Sequence, residues 1–350
     1  MARRPRILVI RGDGVGPEVV SAALRVLEGL GVEMDVVEAE AGWDYYRRTG
    51  RPYQEDLLDL ARSVDAIFKG PIETPKATGY RSVNVMLRRE LGLYANLRPF
   101  RAYPRVALNP RIDVVIVREN TEGLYSQVEW SVPGAAFAVK VSTEAAAERV
   151  IRFAFRLAEE WGRRRVTLVH KANILKLADG LYLRVFERIA SEYRGRLEAD
   201  DVIVDAAGYY LVRSPERLDV VVTMNLYGDI LSDVAAGVAG TMGLFGSANI
   251  GDEHAMFEPV HGTARDIAGR GIANPTAALH AAALMLRWLS SRGFGERLAR
   301  VAEALEAALR RVVEEGRVLT PDLGGDATTE RYAEEVLAKA REALGEEGGG

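Results

Sequence analysis

Val220-Val221-Val222-Thr223-Met224-Asn225-Leu226-Tyr227-Gly228-Asp229-Ile230-Leu231-Ser232-Asp233 is the stretch on which the fold turns. Its first five residues are an apolar run that reads as a buried strand. Behind it, Asp229 and Asp233 stand four residues apart and share one face if a helix starts at Gly228. Two carboxylates projecting from the end of a buried strand suit a hard divalent cation, Mg²⁺ or Mn²⁺. The competing reading makes Asp229 a helix cap and leaves Asp233 in solvent.

Outward from that stretch, apolar runs alternate with amphipathic helical patterns, the signature of an α/β chain with a parallel sheet. Strands are predicted at 6–10, 64–68, 112–117, 166–169, 202–204 and 219–223. Helices are predicted at 17–30, 143–161, 276–290, 296–315 and 329–344. Pro17 suits a first helical turn and Gly31 a stop; Thr143 is the expected N-cap of its helix. Polar residues gather where apolar strands end: Gly12-Asp13-Gly14, Lys69-Gly70, Arg118-Glu119-Asn120, His170-Lys171 and Asn225. Ligands of open α/β sheets bind beyond such ends.

The 350 residues allow a large core and two domains. A net charge of −4 argues against nucleic acid or an anionic membrane as the main partner. The absence of cysteine excludes disulfides, thiolate zinc sites and a cysteine nucleophile, and four histidines leave little for a His-rich metal site. With no signal peptide and no apolar run of membrane-spanning length, a soluble cytoplasmic protein is expected. Six lysines stand against forty arginines, a bias that fits a thermophile or codon usage. The glycine- and glutamate-rich tail at 345–350 is expected to fray.

Arg11-Gly12-Asp13-Gly14-Val15-Gly16-Pro17 is not a dinucleotide fingerprint, because Pro17 occupies the third glycine position and no acidic residue ends a second strand at the usual distance. These glycines read as a strand-to-helix turn, and no Rossmann domain is expected. Asn84 and Arg88 share a face if helical. Arg88, Arg98 and Arg118 could converge on a substrate with more than one carboxylate; singly, each is an ordinary surface arginine. Tyr125 is either core or a proton donor. Lys171 directly follows an apolar strand, and a nearby metal would lower its pKa towards that of a general base. In the loop Glu258-Pro259-Val260-His261-Gly262-Thr263-Ala264-Arg265-Asp266, an acidic side chain could accept from the two hydroxyls of an adenosine ribose, or serve as a turn residue.

In this order, from Gly12 to Gly325, the segments resemble the β-decarboxylating dehydrogenases: the isocitrate, homoisocitrate and 3-isopropylmalate dehydrogenase family, in its short archaeal-type form. The most specific piece is 225–233, with 258–269 next. The resemblance implies a homodimer with shared active sites, with further pairing to tetramers open. It implies a large domain of 1–94 with 240–350, a small domain of 95–239, and an arm at about 127–141 that pairs with the partner.

The resemblance also implies roles. Asp229 and Asp233 bind the metal, with Asp205 of the partner subunit. Arg88, Arg98 and Arg118 hold carboxylates. The partner subunit's Lys171 takes the hydroxyl proton, and Tyr125 protonates the enol carbon. Thr74, Glu258, His261, Gly262, Ala264, Asp266, Ile267 and Asn274 line the cofactor. Asp266 and Ile267 replace the lysine and tyrosine of NADP-using relatives, which implies NAD. Family substrates share a malate moiety and differ in one substituent. Ser82 and Asn84 are polar, as in isocitrate dehydrogenases, and an unpaired buried Asn84 against an isopropyl group costs roughly 1–3 kcal/mol. Isocitrate therefore ranks first, homoisocitrate second (Tyr80-Arg81-Ser82 resembles archaeal homoisocitrate enzymes) and isopropylmalate third. Relaxed specificity among them is a further reading. The rival from another class is a nucleotide-binding protein that keeps the fold without the chemistry.

Overall fold

A computed structural model describes residues 3–75, 80, 82–103 and 105–345. Arg81 and all of the expected frayed tail but Gly345 lie outside the described residues. The strands are β1 (Arg6–Ile10), β2 (Asp35–Glu38), β3 (Ala66–Lys69), β4 (Ala95–Arg101), β5 (Asp113–Glu119), β6 (Glu129–Val132), β7 (Ala135–Ala138), β8 (Arg165–His170), β9 (Glu198–Ile203), β10 (Val220–Thr223), β11 (Gly246–Ile250) and β12 (Ala255–Pro259). The α-helices are α1 (Gly16–Gly29), α2 (Trp43–Thr49), α3 (Leu57–Arg62), α4 (Val83–Glu90), α5 (Glu144–Glu160), α6 (Ala178–Glu192), α7 (Val204–Arg213), α8 (Asn225–Ala239), α9 (Thr276–Leu289), α10 (Glu296–Glu315) and α11 (Thr329–Leu344).

Ten strands make one mostly parallel sheet in the order β2-β1-β3-β12-β11-β4-β5-β10-β8-β9. This is the expected α/β class, and the order is not that of a Rossmann domain. β2, β1, β3 and β12 run parallel, as do β5, β10, β8 and β9. Between them, β11 and β4 make three antiparallel steps. Three reversals leave the two parallel groups pointing in opposite directions. The polar strand ends therefore open on two edges: Gly12–Gly14 and Lys69-Gly70 follow β1 and β3, while Arg118, His170-Lys171 and Asn225 close β5, β8 and β10.

All four residues of β10 are buried between β5 and β8, which is why its sequence is continuously apolar and β-branched. α9 is alanine-rich because it packs hard on β11; a Cβ added at Gly246 would lie 2.2 Å from the Ala281 nitrogen. Thr143 caps α5, its side chain accepting from the Ala146 N–H at 3.2 Å. α1 carries Pro17 in its first turn, and the chain turns away after its Leu30 cap at Gly31, whose φ is +66°.

α8 starts at Asn225, three residues before Gly228. Met224 leaves the strand in an extended conformation and the helix begins at once. Gly228 serves another purpose: a Cβ there would sit 2.6 Å from Arg118, so its absence lets the Arg118 side chain lie across the helix. The arm segment forms the hairpin β6–β7, every strand residue exposed. Trp130 and Phe137 stack across it at 5.3 Å and 13°. Among the described residues no helix is long and apolar enough to cross a membrane.

Candidate active site

Asp229 is the centre of a polar constellation at the end of β10 and β5. Strand β5 delivers Arg118 and β10 delivers the start of α8 beside it, because Thr223 pairs with Arg118 in the sheet. Arg118 donates through Nη1 to Oδ1 of Asp229, and through Nε and Nη2 to Oδ1 of Asn225 at 2.9 and 2.6 Å. The Tyr125 hydroxyl donates to Oδ2 of Asp229, and the Arg118 guanidinium lies 5.0 Å from the Tyr125 ring centroid. Arg98, from β4, reaches Asp229 at 3.6 Å and donates to the Ser232 hydroxyl at 2.6 Å. The Ser232 hydroxyl in turn donates to the Asp229 carbonyl at 2.8 Å.

The charges set the protonation states. Burial alone pushes the Asp229 carboxyl up, but Arg118, Arg98 and the Tyr125 hydroxyl outweigh it and hold it below the usual range. Asp233, one turn on, is pushed up by burial and by Asp229. Among the described residues its carboxylate makes no hydrogen bond or ion pair. Burial also raises the Tyr125 phenol, assisted by Asp229. Burial, with Arg98 and Arg88 nearby, brings Arg118 down to about 10.

A second cluster joins this one through asparagines. Asn96 accepts from Arg98 Nε at 2.5 Å and donates to Asn249 Oδ1 at 2.9 Å. Arg88 Nε donates to the same Asn249 oxygen at 3.1 Å, and Arg88 Nη2 to Glu258 Oε1 at 3.1 Å. Glu258 pairs through Oε2 with the fully buried Lys69 at 2.6 Å. Burial opposes ionisation of Glu258, yet Lys69 and Arg88 hold its pKa far below the usual range. The three arginines expected to converge are thus brought together, and α4 places Asn84 and Arg88 one turn apart. Ser82 caps α4, accepting from the Val85 N–H at 3.4 Å, and shares a hydrogen bond with Thr74 at 3.2 Å. Among the described residues, the buried Oδ1 of Asn84 has no hydrogen-bond partner.

Lys171 and Asp205 pair with one another, and among the described residues neither bonds to the Asp229 group. The Lys171 ammonium holds the Asp205 carboxyl below its usual range. The fully buried Asp179 fixes the Lys171 main chain, accepting its N–H at 2.7 Å, and also pairs with Lys140.

On the other edge of the sheet, His261 bonds through Nδ1 with the Gly262 carbonyl at 2.8 Å, and its Nε2 is buried with no partner among the described residues. Burial lowers its pKa, which favours the neutral ring. Ala264 has a φ of +38°, Gly262 has open space where a Cβ would be, and Ile267 is half-buried. Asp266 is exposed and makes no hydrogen bond or ion pair among the described residues. Asn274 bridges Asp322 and the Thr276 N–H at 3.0 and 2.9 Å.

A protein family described as isocitrate/isopropylmalate dehydrogenase matches residues 6–336. This chain belongs to that family. It is 49% identical, over 96% of its length and 99% of the relative's, to the 3-isopropylmalate/3-methylmalate dehydrogenase of Methanocaldococcus jannaschii. It is 47% identical to the isocitrate/homoisocitrate dehydrogenase of Thermus thermophilus, over 95% of this chain and 97% of that one. The isocitrate dehydrogenase structure from Methylococcus capsulatus aligns with a TM-score of 0.89 at 45% identity, covering 96% of this chain and 99% of that chain.

The protein is therefore a dehydrogenase acting on a hydroxy acid. The dehydrogenase offers hard oxygen donors at Asp229 and Asp233, and the unpartnered Asp233 carboxylate fits Mg²⁺ or Mn²⁺. Among the described residues, though, no three acidic or histidine side chains form a metal-sized group. A nucleotide fits the other edge, where, among the described residues, the buried His261 Nε2 lacks a partner and Asp266 is exposed. Sequence reasoning missed Asn96 and Asn249, which carry the link between the arginines. Their signal was an asparagine flanked by apolar residues inside a strand, in Ala95-Asn96-Leu97 and Ala248-Asn249-Ile250.

Proposed function

We propose that the dehydrogenase oxidatively decarboxylates a 3-substituted malate with NAD and Mg²⁺ or Mn²⁺, isocitrate to 2-oxoglutarate first. The observation that carries this is the meeting of Arg98, Arg118 and Tyr125 on Asp229, with Asp233 free one turn on. Arg88, Arg98 and Arg118 bind and orient the substrate carboxylates bidentately. Lys171 takes the hydroxyl proton, and Tyr125, kept neutral by its raised pKa, returns a proton to the enol carbon after CO₂ leaves. Asp229 and Asp233 would hold the metal, which would supply Lewis-acid chemistry, and the bound NAD would supply the hydride acceptor.

That Lys171 and Asp205 pair with each other and, among the described residues, make no bond to the Asp229 group supports their delivery by a second subunit, as the partner's Lys171 and the partner's Asp205. The exposed apolar hairpin supports the same homodimer. The reversal of strand direction at β11 and β4 supports a division into 1–94 with 240–350 and 95–239. Thr74, Glu258, His261, Gly262, Ala264, Ile267 and Asn274 line the cofactor in this reading, and Asp266 accepts from the ribose hydroxyls.

Isocitrate leads because Asn84 has a buried polar atom to satisfy, and its amide, turned over, offers a carboxylate an N–H donor. The relatives' names favour no single member: one is named for isopropylmalate and methylmalate, another for isocitrate and homoisocitrate. Homoisocitrate ranks second and 3-isopropylmalate third. Steady-state kcat/KM for the three acids with NAD and Mn²⁺ tests the ranking. A preference for isopropylmalate would mean that Asn84 turns away from the substrate.

A further inference from the structure

The cofactor-side loop carries a cation that the reading above leaves unused. Arg265 directly precedes Asp266. Its Nε donates to Oε2 of Glu73, and its Nη1 donates to both oxygens of Asp44 at 3.1 and 3.3 Å. Both acids are fixed from behind. The buried Asp13 carboxylate accepts the main-chain N–H of Trp43 at 2.9 Å, of Asp44 at 2.8 Å and of Glu73 at 2.8 Å. A Cβ at Gly42 would lie 2.5 Å from an Asp13 oxygen, so the turn closes on Asp13 only with glycine there. The loop of Arg265 is docked at the same place, since the Val15 N–H donates to the Thr263 carbonyl at 2.9 Å. Three chain segments thus meet at one guanidinium, held by two carboxylates whose own main chain is anchored.

We propose that Asp44 and Glu73 are specificity determinants: by engaging Arg265 they withhold the cation beside Asp266 from a 2′-phosphate and so enforce NAD over NADP. The proposal rests on the reading of Asp266 as the ribose acceptor. A free guanidinium is a natural bidentate partner for phosphate. Here the Asp44 and Glu73 carboxylates both engage the single positive charge of Arg265, and Asp266 follows it in the chain, so the three acids outnumber the one cation and meet an entering phosphate as like against like. Asp266 therefore does not act alone. The neutral isosteres Asp44→Asn and Glu73→Gln keep the shape of the cluster while releasing the guanidinium.

The test is isothermal titration of NAD⁺ and NADP⁺ into the full-length protein, read as the ratio of the two Kd values. Wild type, D44N, E73Q, D44N/E73Q and D44N/E73Q/R265M are compared, with thermal unfolding as the check on folding. The double variant is expected to shift the ratio at least about tenfold towards NADP⁺, each single variant part of the way, and R265M to erase the gain. A NAD⁺-preferring wild type whose ratio does not move in any acid variant would overturn the proposal alone. A gain that survives R265M would also overturn it, because charge removal and not the freed arginine would then be responsible. A wild type that binds NADP⁺ as tightly as NAD⁺ would overturn the reading of Asp266, and the proposal with it.

Discussion

Tyr125 donates its hydroxyl to the one Asp229 oxygen that Arg118 leaves free, so a single carboxylate ties the proposed proton donor to a proposed carboxylate binder. Removing the hydroxyl separates the two roles. Tyr125→Phe leaves Asp229 with Arg118 and Arg98, and substrate binding should change little. Loss of a positioned proton donor should lower kcat by about 10²–10⁴-fold. The check is kcat and KM measured separately. A raised KM with unchanged kcat would make Tyr125 a binding residue.

Asp229→Asn should remove metal-dependent turnover. Lewis-acid stabilisation is worth several kcal/mol, so kcat/KM should fall by about 10² or more at every metal concentration. The same change leaves Arg118 with Asn225 as its remaining close partner. Unfolding in denaturant should therefore show a loss of roughly 1–3 kcal/mol. Full activity in this variant would sink the metal assignment.

Asp233 carries its charge at a cost, since burial and Asp229 raise its pKa. A carboxyl with a raised folded-state pKa destabilises the fold above its unfolded value, where it must ionise. Asp233→Asn should therefore leave metal-free protein as stable as wild type or more so, while abolishing stabilisation by Mn²⁺. In wild type, metal affinity should weaken on acidification at a pH above the ordinary aspartate range. Melting curves with Mn²⁺ and with EDTA across pH test both statements; a lower Tm for the variant in EDTA would refute the first.

Lys69 is fully buried against Glu258. Truncation to methionine leaves Glu258 with Arg88, and breaking such a buried pair costs about 3–5 kcal/mol. The pH sign follows from the lowered Glu258 pKa: its contribution is fully present above the unfolded carboxylate value and is lost as pH falls through the folded one. Without Lys69 the folded value rises, so acid unfolding should begin at a higher pH. An unchanged acid limb would mean that Arg88 alone holds Glu258 ionised.

The hairpin predicts assembly. Trp130 and Phe137 are about half exposed, stacked on a two-stranded ribbon that is marginal in water by itself. Replacing both with serine should lower the mass measured by light scattering towards that of a single chain, and activity should fall with it if the sites are shared. An unchanged mass would remove the hairpin from the interface.

The fold class was legible because Val220–Thr223 and its neighbours are buried on both faces and write that burial as unbroken apolar runs. The direction of the strands was not, since antiparallel steps at β11 and β4 leave no mark in a local pattern. β4 itself was hidden, because Asn96 and Arg98 interrupt its hydrophobicity in order to face the site. Asp229, Asp233 and the arginines could be read from spacing and resemblance. Their links through Asn249 could not, because residues more than a hundred positions apart meet only in the sheet. Gly228 was visible as a glycine, but its reason, the close passage of Arg118, is a tertiary fact.

The most direct measurement pairs NADH formation with CO₂ release in one reaction of isocitrate and NAD, run with Mn²⁺ and again with EDTA. Oxidation and decarboxylation at one metal-dependent site predict equal amounts of the two products with Mn²⁺ and neither with EDTA. NADH without CO₂, or turnover indifferent to EDTA, would contradict the roles of Asp229 and Asp233 as metal ligands and of Tyr125 as proton donor.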